Sequence, residues 1–178
     1  NPDSTLTVGR PTFGRIIFNT YNLVDRETAL TNRLFQSITT TSLHETMHIL
    51  GFDSTLYSSY LNPTVGYPYA SPTVPGTVNA NRPNTTFMAT PFVLAWAKSF
   101  FGCASLAGMP LENQDGTGYG AGSHWERVAM YDEMMTATAL GTAKYFSGLT
   151  FAMLKDMGWY SVDERFAGTS GYGYQKGC

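Results

Sequence analysis

Charge is scarce in this 178-residue sequence: aspartate, glutamate, lysine and arginine make up 13% of it, and the net charge is −2. So few cations exclude the basic surface that nucleic acid requires and the polybasic patch that draws a protein to anionic lipid. Long apolar runs are missing as well. The best candidate, Phe92-Val93-Leu94-Ala95-Trp96-Ala97, falls far short of the ~20 residues that cross a bilayer, so no membrane span is expected. No charged-then-apolar leader precedes Asn1, which leaves a signal peptide either absent or removed. Cysteine occurs twice, at Cys103 and Cys178, compatible with one bridge or with two buried thiols. Histidine occurs three times. Against these absences, apolar residues at 43% are enough for a sizeable core and exclude disorder, and the length fits one domain spanning residues 1–178.

Two of the three histidines stand in His44-Glu45-Thr46-Met47-His48-Ile49-Leu50-Gly51, an HExxHxxG pattern. Four residues of helix turn the chain by about 400°, so His44 and His48 lie one turn apart on one face and can hold a single metal ion. Glu45, rotated by about 100° from His44, sits where a carboxylate can take a proton from a water on that metal. One Zn²⁺ ion is the expected cofactor, because imidazole suits it and a three-ligand site leaves a position open for water.

Around this motif the chain begins with a Pro- and Gly-punctuated lead-in, followed by Arg15-Ile16-Ile17-Phe18-Asn19, short and β-branched, which reads as a strand. Asn22 and Asp25 supply turn or cap chemistry. Apolar spacing then predicts a helix from about residue 27 to Leu50, with a threonine-rich stretch before His44 that propensity disfavours. Residues 52–87 carry five prolines and predict a long, mostly irregular excursion. Within it, Asn84-Thr85-Thr86 is a glycosylation sequon. Thr90-Pro91 starts a helix that runs to about Phe101, where Gly102 stops it. A glycine-rich loop over residues 116–122 precedes His124; without a following GK[ST] it is a tight loop rather than a phosphate cradle. Residues 146–157 form a last amphipathic helix, and no internal repeat is present.

A catalytic zinc site takes three protein ligands. The compact pattern HExxHxxGxxH would place the third at position 54, where Ser54 stands. The remaining histidine is His124, and 11 residues after it comes Met135 in Asp132-Glu133-Met134-Met135-Thr136, which has the form of a Met-turn. Met134 reads as an ordinary core residue. The alternative third ligand is a later glutamate, Glu112, Glu126 or Glu133, as in thermolysin-like hydrolases.

Taken together, the motif helix, Phe101-Gly102-Cys103, Gly122-Ser123-His124-Trp125-Glu126, Asp132-Glu133-Met134-Met135 and Asp156-Met157-Gly158-Trp159-Tyr160 resemble the leishmanolysin-like metallopeptidases. These are metzincins with a long insertion before the third histidine. The resemblance implies that His44, His48 and His124 are zinc ligands, Glu45 the general base and Met135 the Met-turn residue. It implies an α+β fold: the mainly helical C-terminal portion of a zincin catalytic domain, with a short strand before the active-site helix and a long irregular insertion. It also implies an extracellular or cell-surface endopeptidase acting on proteins or peptides. Cys103 and Cys178 are expected to form a disulfide, the only intrachain pairing available. The sequence departs from other metzincins in having no tyrosine just after Met135. It also begins only one strand before the active-site helix, so the domain is expected to be partial. A rival of another class is a catalytically silent, zinc-stabilised surface or adhesion module; Glu45 argues against it, since a structural zinc has no use for a carboxylate there.

Overall fold

The computed structural model describes residues 9–19, 32–77, 84–113, 121–137 and 144–178. The first residues of the expected long helix, the turn residues Asn22 and Asp25, and most of the glycine-rich loop lie outside them. The fold is α+β. Helix α1 (Asn32–Leu50) is followed by a 3₁₀ helix (Ser54–Ser59), strands β1 (Thr73–Gly76) and β2 (Thr85–Met88), helix α2 (Pro91–Phe101), strand β3 (Met109–Pro110), a short helix α3 (Arg127–Met130) and helix α4 (Gly148–Asp156). The strands form one antiparallel sheet in the order β1-β2-β3, with Thr73 opposite Met88 and Phe87 opposite Pro110.

The threonine-rich part of α1 stays helical because its hydroxyls find acceptors one turn back. Ser42 donates to the Ile38 carbonyl (2.7 Å) and Thr46 to that of Ser42 (2.7 Å). The helix ends in a Schellman motif, with Gly51 N–H bonded to the His48 carbonyl (3.0 Å) and Phe52 N–H to that of Met47 (3.0 Å). Gly51 has φ +123°, and a Cβ there would lie 2.8 Å from the Trp159 ring, so both backbone and packing require glycine.

Few long elements meet in this core, and the gaps between them are irregular. All eight methionines fill them, each 5% exposed or less, as suits an unbranched, adaptable side chain. Phe52, Tyr60 and Trp125 complete the centre. Helix α2 packs on α4. Thr90 stands at the N-cap of α2 but makes no capping bond with its side chain. Asp156, fully buried at the end of α4, accepts instead from Phe92 N–H (3.1 Å), Val93 N–H (2.8 Å) and the Tyr69 hydroxyl (3.1 Å).

Two expectations change. Residues 15–19 are not a strand: they join no ladder among the described residues, and Ile17 and Phe18 are 73% and 47% exposed. A β-branched composition is not enough for a strand, which also needs a neighbouring strand to take up its backbone hydrogen bonds. The excursion over residues 52–87 is more ordered than its prolines suggest, with the 3₁₀ helix and two paired strands. Pro75 is tolerated because β1 is an edge strand. Among the described residues no helix is long and apolar enough to cross a membrane. Asn84 and Thr86 of the sequon are both exposed.

Candidate metal centre

Helix α1 brings His44 and His48 onto one face, and the chain returns 76 residues after His48 with His124. The Nε2 atoms of the three rings converge: 3.1 Å between His44 and His48, 3.0 Å between His44 and His124, and 3.2 Å between His48 and His124. His44 Nδ1 faces the Met134 carbonyl (2.8 Å) and His48 Nδ1 the Phe52 carbonyl (2.7 Å). Carbonyls only accept, so each Nδ1 carries the proton and each Nε2 turns a lone pair inward. The second acceptor is a product of the helix stop: the turn at Gly51 folds Phe52 back so that its carbonyl meets His48.

Burial pushes His44 down to about 4; the bond to Met134 opposes this, and the charges of His48 and Lys144 add to it. The ring is therefore neutral at ordinary pH, the form that ligates metal. Lone pairs converging on one point repel unless a cation lies between them. Zinc–nitrogen bonds of ~2.0–2.1 Å at tetrahedral angles set their nitrogens about 3.3 Å apart. The triangle formed here is close to that size, so the donor set fits Zn²⁺.

His124 is 9% exposed and held from both sides. Beyond β3, Glu112 N–H donates to the His124 carbonyl (2.8 Å) and Gly122 N–H to that of Glu112 (2.8 Å). Trp125 N–H donates to the Met135 carbonyl (2.9 Å), and its indole N–H to Thr150 Oγ1 (2.9 Å). Ser54, at the position where the compact motif has histidine, instead tethers this loop: its N–H donates to Ser123 Oγ (3.0 Å), while the Tyr57 hydroxyl donates to the Gly122 carbonyl.

Glu45, next to His44 in the chain, is exposed. With His48 it lines a cavity of ≈ 770 Å³ that Ile16 and Phe18 also line. The three glutamates weighed as alternative ligands are engaged elsewhere. Glu112 accepts from Asn113 N–H (3.1 Å), Glu126 from Val128 N–H (3.1 Å) and Glu133 from Ser147 N–H (3.1 Å). Among the described residues, the group of His, Cys, Asp and Glu side chains able to hold a metal is His44, His48 and His124.

Met135 is fully buried in the turn after Asp132, and Met134 is 4% exposed. Sequence reasoning missed the second of these: the Met134 side chain is core filling, but its carbonyl serves His44. The one signal was general, that a metal-binding histidine gives its other nitrogen to an acceptor. Cys103 and Cys178 are disulfide-bonded, with Cα atoms 5.0 Å apart.

The sequence has counterparts among known proteins. The chain is 32% identical over 195 residues to a leishmanolysin-like peptidase of Caenorhabditis elegans, an alignment covering 93% of this chain and 29% of the relative. It is 34% identical over 157 residues to the ciliated left-right organizer metallopeptidase of Xenopus laevis, covering 87% and 21%. Leishmanolysin of Leishmania major is 27% identical over 181 residues, covering 98% and 26%. The chain thus spans less than a third of the length of these relatives. The sequence profile of leishmanolysin matches residues 4–178, nearly the whole chain, which therefore belongs to the leishmanolysin family.

Proposed function

We propose that the chain is the zinc-binding part of a metzincin-like catalytic domain, and that the protein is a zinc-dependent endopeptidase acting on proteins or peptides. The observation that carries this reading is the convergence of three imidazole nitrogens beside Glu45. His44, His48 and His124 hold the ion. When bound, zinc supplies a Lewis acid that polarises the scissile carbonyl and acidifies the attacking water. Glu45 accepts the proton of that water and passes it to the departing amine, so the peptide C–N bond breaks without a covalent intermediate. Met135 forms the apolar floor under the ligands. The protein works outside the cell or on its surface, a placement supported by the Cys103–Cys178 bridge, which oxidising compartments favour.

The test pairs two substitutions, with zinc content and turnover of a protein substrate measured on each. Glu45→Gln should keep zinc and lose activity by about 10²–10⁴-fold, the usual contribution of a positioned acid–base group. His124→Ala should lose both. Full turnover by zinc-loaded Glu45→Gln would sink the catalytic assignment, and zinc retained by His124→Ala would remove that ligand. A zinc-loaded wild type without turnover would return the protein to a structural role for its metal.

A further inference from the structure

We propose that Glu133 is a positioning residue for the metal centre, acting on His44 through the peptide group that joins Met134 to Met135. The proposal rests on reading His44, His48 and His124 as the metal ligands.

Glutamate is rarely buried completely unless something compensates it. Glu133 has no exposure, and two separate groups of donors meet its carboxylate. Oε1 accepts from Ser147 N–H (3.1 Å), Ser147 Oγ (3.2 Å) and the Thr150 hydroxyl, all at the N-terminal end of α4, where a helix favours negative charge. Oε2 accepts from Met135 N–H. The backbone of Glu133 closes the same turn, its N–H donating to the Met130 carbonyl (2.8 Å) and its carbonyl accepting from Thr136 N–H (3.3 Å) and Oγ1 (2.9 Å). One carboxylate thus ties the turn to α4.

The consequence lies in the next peptide. A trans peptide is planar, and its N–H and C=O point in opposite directions. The N–H of Met135 is held by Glu133, so the carbonyl in the same plane, that of Met134, is aimed the other way. It meets His44 Nδ1 at 2.8 Å. Carboxylate, peptide and imidazole form one hydrogen-bonded chain. Such chains polarise along their length, so the negative charge of Glu133 strengthens the carbonyl as an acceptor and His44 Nε2 as a donor to metal. A second line runs to the third ligand. The Thr150 hydroxyl that donates to Glu133 accepts from the indole of Trp125, the residue after His124, and Trp125 N–H is held by the Met135 carbonyl.

The experiment is made on the intact protein at pH 8. Glu133→Gln keeps the shape and removes the charge. Zinc affinity, read by competition with a chelator, should fall by roughly 10–100-fold, the range for groups that support a metal ligand. In the zinc-free protein the His44 Nδ1 proton should resonate upfield of its wild-type position, as its bond to Met134 weakens. An unchanged zinc affinity overturns the proposal. So does a lowered melting temperature with an unmoved His44 resonance, which is what a purely structural role would give. If the carboxamide prevents folding, Thr150→Val removes one donor at nearly constant volume. It should weaken zinc binding by a smaller factor that Thr150→Ser restores, and no change overturns the proposal. If the wild type takes up no zinc, the metal reading has failed, and the His44 resonance alone decides whether Glu133 positions that ring.

Discussion

Burial acts on His44 and Glu133, at the two ends of one peptide group, in opposite senses. It pushes Glu133 up to about 7 from 4.5, against donors at Thr150, Met135 and Ser147 that favour the ionised form. It pushes His44 down to about 4 from 6.5. A carboxyl that binds its proton more tightly when folded supports stability in full below 4.5 and loses that support as pH rises through about 7. The imidazole works the other way: its support is present above 6.5 and is lost as pH falls through about 4. The two effects mask each other in the wild-type profile of the metal-free protein. Glu133→Gln removes only the first, so urea midpoints of the variant should gain on the wild type steadily between pH 4.5 and pH 7. Lys144, whose amine donates to the Thr136 carbonyl (3.1 Å), is attracted by the ionised Glu133, and the variant loses that attraction together with the carboxylate, so it belongs to the measured difference. A gap between the two proteins that does not change with pH would show that Glu133 has the same proton affinity folded and unfolded.

Among the elements, α2 shows how far local sequence carries. Thr90-Pro91 and Gly102 mark both of its ends, and the structure forms Pro91–Phe101 with Gly102 left-handed after it. The capping group was not legible, because Asp156 arrives from the end of α4, 63 residues after Val93. Asp156→Ala should cost about 2–3 kcal/mol, a lost cap together with buried N–H groups left unpaired, read as a fall in the urea midpoint at constant slope. A cost within experimental scatter would mean that water replaces the carboxylate. Residues 15–19 show the opposite limit. Their composition suits a strand, but a strand is a pairing, and composition says nothing about a partner. The excursion after Phe52 fails for a related reason: prolines forbid a central strand, yet Pro75 sits in an edge strand, and edge or centre is settled only by the finished sheet.

At the scale of the whole molecule, the candidate centre was legible because histidine is scarce. With three in the chain and two in one motif, His124 had no competitor of its own kind. The acceptors behind the rings were not legible, since they are carbonyls of Phe52 and Met134, and every residue has a carbonyl. The disulfide was legible for the same arithmetic reason, and its consequence follows from the path of the chain. Residues after Gly173 run past the end of α2 and satisfy its last carbonyls: Gln175 N–H donates to Phe100 (2.8 Å) and Gly177 N–H to Phe101 (2.7 Å). Those bonds hold the tail in the folded protein with or without the bridge. The bridge therefore acts chiefly on the unfolded chain, where it closes a loop with a sequence separation of 75. On the chain-entropy account such a loop is worth about 4.5 kcal/mol. The paired substitution Cys103→Ser and Cys178→Ser should accordingly lower the unfolding midpoint by several kcal/mol in free energy, while helix content and zinc affinity measured well below that midpoint stay at wild-type values. A zinc affinity that falls with the bridge at low temperature would show instead that the tail, through α2 and α4, helps hold the turn behind His44.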